Sequence, residues 1–176
     1  MSKAKPIVTV SHSVRGSKAF EKALKEMVKT AAYVGIAKGS ERDTRSDNSG
    51  IANSDLGFVH EFGSPAAGIP ARPFLEPGVE SVKEQVKEKM GEAAKAMLNG
   101  DKNGFEGTLT RMATDAAEAV REYVKDNQGT FEPLAASTKR ARERKIKKVG
   151  GSAGDVKILM DTNSLMRAVD GVVVKE

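Results

Sequence analysis

Pro65, Pro70 and Pro73 bar a regular helix or a central strand from residues 60–75, and the rest of this chain must be arranged around that stiff segment. Each proline removes a backbone donor and holds the residue before it in extended geometry. Gly63 and Gly68 permit the turns such a path needs. Yet the segment also carries Phe62, Ile69, Phe74 and Leu75, more apolar surface than a connection meant only for water requires. It reads as a specified connection that docks onto something, with residues 62–75 at or beside a subunit boundary. Phe62, Ile69, Arg72, Phe74 and Leu75 are the candidate contacts. Arg72, kept extended by Pro73, suits a fixed salt bridge, within the subunit or across a subunit boundary.

Around this segment the hydrophobic pattern changes period. Ile7–Ser11 is β-branched and reads as a first strand, and Ala32–Ala37 as a second. Between them Ser17 can cap a helix carrying Phe20, Ala23, Leu24, Met27 and Val28 at helical spacing. From Lys38 to Gly50 there is no apolar anchor, so this stretch is expected to be a mobile loop. A short helix with Leu56, Val59 and His60 leads into the prolines. Beyond Pro77, the spacing of Val79, Val82, Val86, Met90, Ala93 and Met97 predicts one long amphipathic helix. A tight connection at 99–104 follows, then a second long helix with Phe105, Leu109, Met112, Ala116, Val120 and Tyr123 on one side. Two helices so joined should pair antiparallel. Ser137 opens a third, basic helix, residues 150–154 form a flexible break, and Ala168–Lys175 returns to strand. The expected fold is α+β: a small β-sheet packed against two long helices plus a basic helix, in a single domain over residues 1–176. Its mobile loop lies at 38–50 and its docking segment at 60–76.

Composition narrows the chemistry. The 176 residues contain no cysteine, which excludes disulfides, thiolate metal sites and cysteine nucleophiles. Only 39% of residues are hydrophobic and 5% aromatic, so the core should be thin and part of the stability should come from neighbouring subunits. No apolar run suits a signal core or a bilayer span, giving a soluble product that is at first cytoplasmic. The pair His60-Glu61 has no third or fourth metal ligand placed by any spacing, and His60 reads as a structural group hydrogen-bonding the following turn. No nucleophile elbow or phosphate loop is present. The expectation is no catalytic residue, no metal, no cofactor, and so no enzyme.

The net charge of +5 is modest, because 24 acidic residues are interspersed among 29 basic ones. Its strongest concentration is Lys139, Arg140, Arg142, Arg144, Lys145, Lys147 and Lys148. On a helix these distribute around much of the surface. The run suits either a solubilising face or contact with DNA or an acidic partner. No interleaved aromatics support base stacking.

The sequence His60-Glu61-Phe62-Gly63, followed by Ile69-Pro70-Ala71-Arg72-Pro73-Phe74-Leu75 and a helix, resembles the head–tail joining proteins of long-tailed bacteriophages, variously called neck, tail-completion or virion-morphogenesis proteins. Phe131-Glu132-Pro133-Leu134 with Ser137, Thr138 and Lys139 is similar to that family's helix start. Leu159-Met160-Asp161-Thr162-Asn163-Ser164-Leu165 is similar to its turn, with Asn163 where the family usually has Gly; Asn also tolerates left-handed geometry. The resemblance implies a virion structural protein, assembled in the host cytoplasm as a homo-oligomeric ring. The ring would join the head connector or adaptor to tail-tube or tail-terminator proteins and contact packaged DNA non-specifically. From the residues alone, the competing expectation is a basic DNA-binding accessory protein using residues 139–148.

Overall fold

The computed structural model describes residues 14–45, 50–152 and 156–175, with residues 14–17 as backbone only. The expected first strand at 7–11 lies outside them. The described elements are α1 (Val14–Val28), β1 (Thr30–Gly35), α2 (Asn53–Phe62), α3 (Leu75–Glu80), α4 (Lys83–Leu98), α5 (Lys102–Asp126), α6 (Ala136–Lys148), α7 (Ser164–Ala168) and β2 (Asp170–Lys175). The fold is α+β. Among the described residues the sheet is one antiparallel pair, with Thr30 opposite Lys175 and Gly35 opposite Asp170.

Helix α5 is the axle. Asp101 starts it, its Oδ1 accepting from the Gly104 amide at 2.8 Å and so satisfying an otherwise orphaned donor. Leu109, Met112, Ala116 and Val120 recur at helical spacing and are all buried. Two apolar clusters are strung along it. Phe105, Leu109 and Met112 pack with Ala93 and Met97 of α4, with Ala23 and Met27 of α1, and with Ala32 and Val173 of the sheet. Further along, Ala117, Val120 and Val124 pack with Phe74, Phe131, Leu159, Leu165, Met166 and Val169. Helix α4 runs antiparallel to α5, since its last turn meets Phe105 and its first turn, at Val86, meets Met112.

The single long helix expected after Pro77 is two helices. Gly78 lies so close to α5 that a Cβ there would sit 2.7 Å from Val120 Cα. This close docking holds α3 against the C-terminal half of α5, while α4 follows the N-terminal half. The helix is interrupted at Ser81–Val82, where the Ser81 hydroxyl donates to Gly78 O at 2.6 Å and Val82 N to Val79 O at 3.2 Å, a tightened last turn. Gly171 plays the matching part for the sheet: a Cβ there would fall 2.1 Å from Ala113 O. Helix α1 already includes Val14, upstream of the expected cap at Ser17.

The stretch after β1 has a tie that its polarity hid. Glu41–Asp43 is a 3-10 turn, and Asp43 is only 5% exposed. Its carboxylate accepts from Gly39 N and Ser54 N, each at 2.7 Å, and these bonds hold its pKa below the usual carboxylate range. Fully buried Asn53 donates to Arg42 O at 2.8 Å and to Ser164 Oγ at 3.0 Å. Residues 46–49 of the expected mobile loop and 153–155 of the expected break lie outside the described residues.

Candidate docking site

Glu61, in the last turn of α2, organises the proline-rich segment. Its carboxylate accepts from three successive amides: Phe74 at 2.8 Å, Leu75 at 2.9 Å and Glu76 at 3.1 Å. These are donors that the first turn of α3 leaves unpaired, so a charge on α2 caps a helix beyond the prolines. The intervening chain folds back on itself. Ser64 and Ile69 exchange backbone hydrogen bonds at 2.8 and 3.0 Å, and Arg72 N donates to His60 O at 2.6 Å. Gly63 is required here: its φ is +75°, and a Cβ would lie 2.8 Å from Ala71 N.

Arg72 is 5% exposed and makes no salt bridge among the described residues, so the expected ion pair is not found within the subunit there. Its Nε donates to Glu132 O at 2.7 Å and a terminal nitrogen to Pro133 O at 2.8 Å. The planar guanidinium suits two adjacent carbonyls, and this fixes the strand of chain ahead of α6. His60 does hydrogen-bond the following turn. Its backbone carbonyl, not its imidazole, holds the turn, and Nδ1 is buried with no partner among the described residues. Burial, reinforced by the charges of Arg72, Arg142 and Arg45, pushes its pKa down to about 4.

The candidate contacts divide sharply. Phe74 is 1% exposed and belongs to the core cluster, so it is not a contact residue. Leu75 packs partly against the same cluster. Phe62 is 66% exposed and Ile69 sits at the surface. Phe58, which sequence reasoning passed over in favour of Leu56 and Val59, is 64% exposed and packs against Phe62 with ring centroids 4.9 Å apart and planes tilted by 50°. The i, i+4 spacing of two phenylalanines was the available signal. Beside this pair runs an open groove of about 340 Å³ between α2 and α3, floored by Phe74. The charged side chains lining it, Glu61 and Glu76, are both carboxylates.

The second candidate surface is α6. Arg142 is turned inward: it donates to Lys157 O at 2.7 Å and lies 3.9 Å from Asp161, which Lys145 also approaches at 3.6 Å. Lys139, Arg140, Arg144, Lys147 and Lys148 are exposed. Arg140, Arg144, Lys147 and Lys148 follow i, i+4, i+7, i+8 spacing and so share one face, a tighter stripe than the full run suggested.

The segments that carry the sequence resemblance meet in space. Arg72 binds the carbonyls of 132 and 133, and the turn at 159–165 lines a small cavity with Leu56, His60 and Arg142. Asn163 does adopt left-handed geometry, with φ +57°, immediately before α7. The described residues hold no group of three or more metal-ligating side chains, and no helix among them is long and apolar enough to cross a membrane. Comparison of the chain with protein-family models, with curated proteins and with solved structures finds no match in any of the three.

Proposed function

We propose that the chain is a virion structural protein of the phage neck, acting by binding as one subunit of a homo-oligomeric ring between the head connector and the tail. The observation that carries this reading is the convergence of the resembling segments. Glu61, Arg72 and Phe74 are spent inside the subunit, and they hold Phe58, Phe62 and Ile69 outward on a rigid frame. A stiff frame presenting exposed aromatics is what a lasting protein contact needs, because little entropy is lost on docking. Immuno-electron microscopy of tailed particles from cells expressing the chain tests it. Label at the head–tail junction is expected; particles that carry none of the chain overturn the reading.

The cationic face of α6 favours a second reading, a DNA-binding accessory protein. Replacing Arg140, Arg144 and Lys147 with Gln should then weaken duplex binding and reduce the salt slope by about 0.9 per charge removed. A wild-type chain with no salt-dependent duplex affinity sets this reading aside.

A further inference from the structure

One cavity draws together parts of the chain that are far apart in sequence. It measures about 160 Å³ and is walled by Arg45 after the 3-10 turn, by Leu56 and His60 of α2, by Arg142 of α6, and by the turn at 159–165. At about 30 Å³ for each water in the liquid, that is room for roughly five waters, or for one tetrahedral ion with a little water beside it.

The polar groups on its wall are mostly donors. Arg45 and Arg142 bring two positive charges, against the one negative charge of Asp161. Buried Arg72 adds a third positive charge beside His60, whose carbonyl accepts from the Arg72 amide. Arg142 gives one N–H to Lys157 O at 2.7 Å, while its Nε stands 3.9 Å from Asp161, beyond hydrogen-bonding distance. A guanidinium carries five N–H groups in a planar fork that matches a phosphate, so Arg142 keeps donors for an occupant. Asp161 is approached by Lys145 only at 3.6 Å, so it tempers the positive field without cancelling it. Thr162 Oγ1 accepts from Ser164 N at 3.4 Å, and Ser164 Oγ accepts from Asn53 at 3.0 Å. Each hydroxyl therefore still has its hydrogen to donate. Nδ1 of His60 is buried with no partner among the described residues, and in its N–H tautomer it is a further donor. Partly buried cations that share one small cavity repel each other, and an anion among them offsets that repulsion.

We propose that this cavity binds a small tetrahedral oxyanion of the phosphate class, held by Arg45, Arg142, His60 and the hydroxyls of Thr162 and Ser164. The bound ion ties α6 to α2 and to the turn before α7. Helix α6 has no buried residue of its own, so the ion supplies an anchor that its sequence lacks and fixes where its cationic face stands. The site belongs to the single subunit and stands or falls apart from the neck reading.

Inorganic phosphate is the probe, titrated into the full chain by calorimetry at pH 7 against chloride of equal ionic strength. One ion per chain should bind saturably, and the imidazole signals of His60 should shift along the same curve in NMR spectra. The anion should also raise the His60 pKa from about 4, because it favours the charged ring that the neighbouring arginines disfavour. Arg142→Gln should weaken binding at least about tenfold, the equivalent of one charged hydrogen bond. Because that change also loosens α6, Thr162→Val serves as a second variant at an exposed position and should weaken binding about threefold to tenfold. Lys87→Gln, which removes one charge from the surface of α4, should leave the affinity unchanged. No saturable heat beyond that of chloride overturns the proposal, as does binding that leaves His60 unmoved. A loss in Lys87→Gln as large as in Arg142→Gln also overturns it, since the attraction would then be general surface charge. So does duplex DNA that shifts His60 where free phosphate does not, because the occupant would then be a nucleic-acid phosphate.

Discussion

Replacing Arg72 with Met isolates the largest polar contribution inside the proline-rich segment. Met retains most of the aliphatic volume, so the pocket is not emptied, while both bonds to Glu132 O and Pro133 O are lost. A hydrogen bond from a charged donor contributes about 1.5–3 kcal/mol net, and two at the lower bound give about 3 kcal/mol. The lower bound applies because Glu132 and Pro133 lie at the surface, so their carbonyls can be hydrated once the guanidinium is gone. Arg72→Lys keeps the charge but offers one direction of approach where the fork offered two, and should cost about half as much. Urea titration measures both. A second readout is independent of stability: the Arg72 charge helps depress His60, whose pKa lies at about 4, so its titration followed by NMR should move upward in the Met variant. A Met variant within about 0.5 kcal/mol of wild type, the range of a neutral surface change, would refute the reasoning. So would an unmoved His60 titration, since the two groups would then not share a field.

Because His60 has a pKa of about 4 folded against 6.5 unfolded, the unfolded chain binds the extra proton first. Its contribution should be complete above pH 6.5 and be lost as pH falls toward 4, by at most about 3 kcal/mol, and His60→Phe should flatten that limb of a urea-midpoint profile. Gly78→Ala should destabilise by about 1–3 kcal/mol in thermal or urea melts, because its Cβ would press on the Val120 backbone. Arg142→Gln should lower stability by about 1–2 kcal/mol through loss of the bond to Lys157 O, whereas Arg144→Gln should leave the melt unchanged.

The long helices were legible because their apolar residues keep a 3.6 period whatever they pack against. The break at Ser81–Val82 was not, because Val79, Val82 and Val86 stay in helical phase across it; the turn answers to how closely Gly78 approaches α5, which no local pattern encodes. Within the prolines there is no period at all, so nothing in the sequence separates buried Phe74 from exposed Phe62. The buried arginine and the buried Asp43 were hidden for a related reason. Hydropathy assigns every charge to solvent, and only the finished fold places backbone donors or carbonyls around it. Glu61 shows the same limit, since its partners lie across a loop whose path had first to be known.

The pairing of β1 with β2 fixes when this subunit can be completed. Thr30 faces Lys175 across nearly the whole described chain, whereas α4 and α5 are sequence neighbours. Local contacts close quickly and distant ones slowly. On the ribosome the helical pair can therefore form while β1 still waits, and among the described residues Ala32 has no strand beside it until residues 170–175 have emerged. A nascent chain would thus carry a half-built platform under α1 until β2 has been made. Firm seating of that helix is in this way made contingent on β2, and chains cut short before residue 170 leave α1 without half of its platform.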